Sequence, residues 1–167
     1  MTDANFLSGS LPTEICLLDS LEKFYVNNNN LVGTLPSCLV KLPKLVELDV
    51  ANNRFTGSLP SGLFMTKLES LILSYNQFTG SLGALFKGLP ASGGTYTAIN
   101  TLQVLSLDNN KFSGSVPSKF FFMSKLHDLT LQGNDLTGTV SPVCPNGLTT
   151  LTVDCSKVSC SCCTRCY

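Results

Sequence analysis

One histidine in 167 residues, His127, leaves no histidine cluster to hold a metal, and it follows a repeat-start leucine where a solvated side chain is the default. No charge is in excess. Eleven basic residues face 11 acidic ones, so no net field draws the chain toward nucleic acid or an anionic membrane. No apolar run approaches the roughly 18 residues that a membrane-spanning helix needs, and the longest candidate is Phe120 to Met123. Gly93 and Gly94 lack the lysine and spacing of a phosphate-binding loop, and no asparagine is followed at the second position by serine or threonine, so there is no N-glycosylation acceptor. Met1 to Gly9 lack the charged start and apolar stretch of a signal peptide.

Cysteine is abundant instead. Eight of them, crowded into two zones, point to disulfides in an oxidising compartment, and hence to an extracellular or cell-surface location. Cys144, Cys155, Cys160, Cys162, Cys163 and Cys166 suit three disulfides, with 15 pairings open. The spacing C-x4-C-x-C-C-x2-C lacks a clean pair of C-x2-C knuckles, which argues against zinc. Cys16 and Cys38 follow equivalent prolines by four and two residues, so either a disulfide between adjacent coils or two buried thiols fits.

The dominant signal is a period of about 24 residues. Asn5, Asn29, Asn53, Asn76, Asn110 and Asn134 are each followed four positions later by glycine, from Gly9 to Gly138. An apolar residue stands two positions after each asparagine, and another two positions after each glycine; proline follows the second at Pro12, Pro36, Pro60 and Pro117. Apolar pairs such as Leu48 and Val50 or Leu105 and Leu107 lie five and three residues before the asparagine. Such pairs fit short strands of period two, with both members inward and their neighbours outward. The asparagine amide is suited to bond backbone groups of adjacent coils that would otherwise be buried unpaired. Serines and threonines next to the glycine, such as Ser8, Thr56, Thr79, Ser113 and Thr137, read as structural hydroxyls.

Written out, the unit is L-x-x-L-x-L-x-x-N-x-L-x-G-x-L-P, and Leu45 to Leu63 is a near-complete copy. It resembles the plant-type leucine-rich repeat of receptor-like kinase ectodomains and polygalacturonase-inhibiting proteins, over roughly residues 1 to 153. The resemblance implies an α/β solenoid: a right-handed superhelix with a parallel β-sheet on its concave face, a second short extended segment beside it, and a convex side that is irregular, 3-10 or short helical. Thr150 to Tyr167 is similar to the cysteine-rich ends of leucine-rich-repeat proteins of diatoms and related algae.

Repeat starts at Leu21, Leu45, Leu68, Leu102, Leu126 and Leu148 give steps of 24, 23, 34, 24 and 22, so one step is long. The chain therefore divides into an array over 1–153, with a partial first repeat, about six repeats and an insertion at 83–101, and a cysteine-rich cap over 154–167. The insertion is either a loop decorating a surface or an enlarged convex turn with a helical start at Leu85 to Gly88. Met1 to Asn5 supply only the tail of a strand, so further repeats or a partner are expected to cover Leu7, Leu11 and Ile15.

Chemistry is thin, and no cofactor, metal or catalytic group is expected. Asp49, Asp108 and Asp154 stand at outward positions, but Asp49 and Asp108 fall in different columns about 10 Å apart at sheet spacing, and solvated surface acids are the expectation. Outward strand and turn residues form one surface across coils: Tyr25, Asn27, Asn28, Asp49, Asn52, Ile72, Ser74, Tyr75, Ser106, Asp108, Asn109, Thr130 and Gln132. The resemblance to receptor ectodomains places ligand contacts there. Tyr25 and Tyr75 combine an apolar ring with a polar tip and suit the role of anchors. The expected function is non-catalytic recognition of a protein or peptide. A saccharide would also suit the polar residues, while scarce basic side chains argue against a polyanion. A cell-surface or wall spacer and an inhibitor of a secreted carbohydrate-degrading enzyme are the alternatives.

Overall fold

The computed structural model describes residues 6–63, 66–86 and 101–167. Asn5 and most of the long step between Leu82 and Leu102 lie outside them. Fourteen strands fall into two parallel sheets of seven among the described residues. The concave sheet holds β2 (Lys23–Tyr25), β4 (Glu47–Asp49), β6 (Ser70–Ile72), β8 (Val104–Ser106), β10 (Asp128–Thr130), β12 (Thr150–Val153) and β14 (Arg165–Cys166). The second holds β1 (Ser8–Ser10), β3 (Asn30–Gly33), β5 (Arg54–Gly57), β7 (Gln77–Ser81), β9 (Lys111–Ser115), β11 (Asp135–Thr139) and β13 (Val158–Ser159). The coils of β2, β4, β6, β8 and β10 cross the concave sheet, turn at Asn29, Asn53, Asn76, Asn110 and Asn134, and run into the second sheet, whereas β12 leads to β13 with Ser156 at the equivalent position. Short 3-10 turns, such as Ser37–Lys41 and Ser118–Phe122, then form the convex side.

The apolar pairs fill the space between the layers. Leu48, Val50, Leu71, Leu73, Leu105, Leu107 and Leu129 are fully buried, each burial contributing about 2 kcal/mol. The slot two residues after the asparagine holds Phe55, Phe78 and Phe112, whose rings stack with centroids 6.1 and 6.3 Å apart. Aromatic rings at one position of successive coils thus form a spine parallel to the solenoid axis.

The asparagines hold the coils in register. Asn53 Nδ2 donates to Val26 O of the preceding coil at 2.8 Å and to Val50 O of its own, while its Oδ1 accepts from Leu31 N at 2.9 Å. Asn76, Asn110 and Asn134 repeat this arrangement, and Asn29 Oδ1 accepts from Leu7 N. These bonds satisfy N–H and C=O groups at a corner where no sheet ladder reaches them. The repeat glycine has a steric reason too: Gly57 sits at φ +77°, and a Cβ there would come within 2.8 Å of Thr34 Cγ2.

Four disulfides use all eight cysteines: Cys16–Cys38, Cys144–Cys162, Cys155–Cys166 and Cys160–Cys163. Cys16–Cys38 joins the convex turns of adjacent coils. The cysteine-rich tail does more than lie over the last coil, because β13 extends the second sheet from β11 and β14 extends the concave sheet from β12. Leu82–Phe86 forms a 3-10 turn like those of the other coils, so Gly83 to Phe86 are part of the regular coil, and the turn begins at Leu82 instead of Leu85. At the other end Ile15 is buried, whereas Leu7 is half exposed and Leu11 only partly buried, and with Leu18, Phe24 and Val26 they line an open apolar hollow.

Candidate functional site

Sheet register fixes which outward side chains of the concave face are neighbours. Lys23, Glu47, Ser70, Val104, Asp128 and Thr150 form one column, and Tyr25, Asp49, Ile72, Ser106, Thr130, Thr152 and Arg165 the next. Beyond the strands come Asn27, Ala51, Ser74, Asp108 and Gln132, linked coil to coil by backbone bonds such as Asn52 N to Ser74 O and Tyr75 N to Asp108 O. Last come Asn28, Asn52, Tyr75, Asn109 and Gly133, each directly before the ladder asparagine and each in the left-handed region, with φ from +53° to +70°.

That last column separates scaffold from candidate. Asparagine and glycine tolerate left-handed backbone, so Asn28, Asn52, Asn109 and Gly133 are the residues the turn itself favours. Tyr75 is not. It holds φ +56° and is 56% exposed as a residue, so a residue that suits the turn poorly faces solvent at the middle of the surface.

Hydrogen bonding divides the face. Toward the C-terminal coils the polar groups bond one another. Asp108 Oδ1 accepts from Ser74 Oγ at 2.5 Å and Thr130 Oγ1 at 2.7 Å, and Asp108 Oδ2 accepts from Asn109 Nδ2 at 2.8 Å. Thr152 Oγ1 donates to Gln132 Oε1, and Asp154 Oδ2 accepts from Gly133 N at 2.9 Å. The expectation of solvated acids is corrected here: Asp108 and Ser74 are buried, because a carboxylate and hydroxyls on facing coils satisfy each other. Asp108, Ser74, Asn109, Thr130 and Gln132 are thereby engaged within the protein.

Toward the N-terminal coils capacity is unspent. Glu47 Oε1 lies 2.7 Å from Lys23 Nζ, and its other oxygen accepts the Tyr25 hydroxyl. The Lys23 ammonium and then the Tyr25 hydroxyl hold the Glu47 carboxyl below its ordinary range, while the bond to Glu47 raises Tyr25. Asp49, beside Tyr25, accepts one bond, from Ala51 N at 2.9 Å, and makes no ion pair among the described residues. Burial pushes the Asp49 carboxyl up, partly offset by that backbone bond. The side-chain amides of Asn27, Asn28 and Asn52 have no partner among the described residues. His127 Nδ1 lies 2.9 Å from Asp128 Oδ2, at the lateral border of the sheet.

One property escapes a residue count. The molecule is neutral, yet the concave face carries Glu47, Asp49 and Asp128 on its strands, Glu22 and Glu69 just before them, and Asp108 and Asp154 just after, against Lys23 and Arg165. The lysines flanking the convex turns, such as Lys41, Lys44 and Lys125, balance the total from elsewhere. The signal was present at fixed repeat offsets, but only the register shows that the acids share a face.

The family model described as Leucine Rich Repeat matches residues 20–42, 44–65, 67–89 and 101–123, more than half of the chain. The chain is a leucine-rich-repeat protein. Receptor-like protein 41 of Arabidopsis thaliana is 36% identical over 75 residues, which is 45% of this chain and 8% of that protein. Among solved structures, the leucine-rich-repeat ectodomain of the Arabidopsis receptor kinase HAESA, in complex with an N-terminally extended IDA peptide hormone, is 30% identical with a TM-score of 0.78, covering 93% of this chain and 24% of that one. The plant peptide hormone receptor RGFR1, in complex with RGF2, is 30% identical with a TM-score of 0.76, covering 94% of this chain and 24% of that one. This leucine-rich-repeat chain thus spans about a quarter of each of these two receptor chains, and less than a tenth of the curated relative.

Proposed function

We propose that this chain is a non-catalytic recognition module that binds an extended protein or peptide segment on its concave sheet, in an extracellular or cell-surface setting. The observation that carries the reading is the contrast along that sheet: Asp108, Gln132 and Asp154 are internally bonded, whereas Tyr25, Asn27, Asn52 and Tyr75 present unspent groups and exposed rings on adjoining coils. Exposed tyrosines on a rigid sheet offer contact area at low entropic cost. Peptide hormones bound by HAESA and RGFR1 support a ligand of this class. The four disulfides suit an oxidising compartment.

Carboxylate-pair hydrolysis is not supported by the geometry, since Asp108 is surrounded by three donors and Asp49 sits in another column. The test is panning of a displayed peptide library against the whole chain, with enriched clones measured by interferometry. Tyr25→Ala with Tyr75→Ala should weaken them at least tenfold, and Thr56→Ala on the second sheet should not. Equal binding by both variants would refute concave-face recognition and favour a passive spacer.

A further inference from the structure

Resting on that concave-face reading, we infer that the ligand segment is cationic, and that Asp49 and Tyr25 together receive a lysine or arginine side chain from it. Three observations converge. The face as a whole carries seven acids against two bases in a chain of zero net charge, so the field near it is set by its own residues. Complementary potentials of this kind select partners and speed their encounter.

Of the three carboxylates on the strands of the face, Glu47, Asp49 and Asp128, Asp49 is the one with no basic side chain beside it among the described residues, since Asp128 has His127 Nδ1 at 2.9 Å. Glu47 already has Lys23 at 2.7 Å, and Asp108 is closed in by Ser74, Thr130 and Asn109. Asp49 is partly buried and accepts a single backbone N–H at Oδ1, so Oδ2 has no hydrogen bond among the described residues, and the neighbours in its column are Tyr25 and Ile72. A guanidinium or ammonium seated there would neutralise a partly desolvated carboxylate, a stronger bond than a fully hydrated pair forms.

Tyr25 completes the seat. It is the register partner of Asp49, about 4.8 Å away at strand spacing. Its hydroxyl is donated to Glu47 while about half of the residue stays exposed, so its ring is available for a cation–π contact with a cation held by Asp49. Tyr75 lies two coils on from Tyr25, one on from Asp49, and three residues further along, where an apolar residue of the same extended segment would rest.

The test is direct titration of the whole chain, by fluorescence anisotropy, with an amidated peptide of alternating arginine and serine, beside the same peptide carrying citrulline for arginine. Citrulline keeps the shape and removes the charge. The arginine peptide should bind at least tenfold more tightly, and Asp49→Asn and Tyr25→Ala should each lose most of that difference. Asp135→Asn, on the exposed second sheet, should leave it unchanged, which excludes diffuse attraction. Thermal melts of each variant confirm folding.

No binding of the arginine peptide at millimolar concentration overturns the proposal, as does equal affinity of the two peptides or of Asp49→Asn and the natural chain. If the citrulline peptide binds as tightly as the arginine peptide and Tyr75→Ala abolishes both, concave recognition stands and the cationic ligand falls. If binding is indifferent to every concave substitution, both fall.

Discussion

Asn110 makes four buried hydrogen bonds: its Nδ2 donates to Leu73 O, Leu107 O and Asp108 O, and its Oδ1 accepts from Phe78 N. Asn110→Ala leaves a backbone donor and several acceptors in a place water cannot reach, and we expect a loss of about 3 kcal/mol or more, read from urea unfolding. Tyr75 is the opposite case. Asparagine occupies the same left-handed position in three other coils, so Tyr75→Asn should raise stability by about 1 kcal/mol while weakening ligand capture. A variant that loses on both counts would show that the ring is packing and not contact. Asp49 and Glu47 differ in sign. Burial raises Asp49, so its stabilising contribution is complete below the unfolded-state pKa and is lost as pH rises through the folded one; Asp49→Asn should therefore narrow the stability fall between acid and neutral pH. Glu47 is lowered, so its contribution is present above the unfolded value and lost as pH falls through the folded one; Glu47→Gln should flatten that acid limb in pH-dependent melts.

At the scale of elements, the cysteine-rich end behaves as two added strands held by cross-links. β13 and β14 have two residues each, too short to persist on pairing alone. Cys144–Cys162 and Cys155–Cys166 tie them to the final coil. Mild reduction should release both strands and raise amide exchange at Leu151 and Val153 while Leu71 and Leu105 stay protected, as hydrogen-exchange mass spectrometry would show. Loss of protection throughout would mean that the cap nucleates the whole array. The fold was legible at this scale because the asparagine-to-glycine offset repeats at Asn53, Asn76 and Asn110, and the inward pairs repeat with it. The extra strands were not. Val158–Ser159 and Arg165–Cys166 match no repeat position, and sheet pairing together with the disulfides brings them against β11 and β12.

Across the whole molecule, the main contacts between elements among the described residues lie within a coil or between adjacent coils, so stability is close to a sum of coil and interface contributions. Phe24 and Val26 of the first full coil are only partly buried, whereas Leu71, Leu73, Leu105 and Leu107 are sealed on both sides. Native-state hydrogen exchange of this chain should show the lowest protection around Phe24 and the highest in the coils of Leu71 and Leu105. Charge is likewise a property of the assembly. A neutral total pointed away from polyanions, but it could not show that acids gather on one sheet and lysines flank the opposite side.

The amino-acid sequence alone determined the period, the inward apolar set, the turning asparagines and the glycines, because each depends on a residue's own conformational preference and recurs at a fixed offset. Tertiary structure alone decided how the outward residues meet. Ser74 and Asp108 stand 34 positions apart and bond because β6 and β8 pair across the long step, whereas Asp49 meets Ile72 and keeps its charge unmatched. Which carboxylate is spent and which is left for a partner depends on register, and register exists only once the coils have stacked.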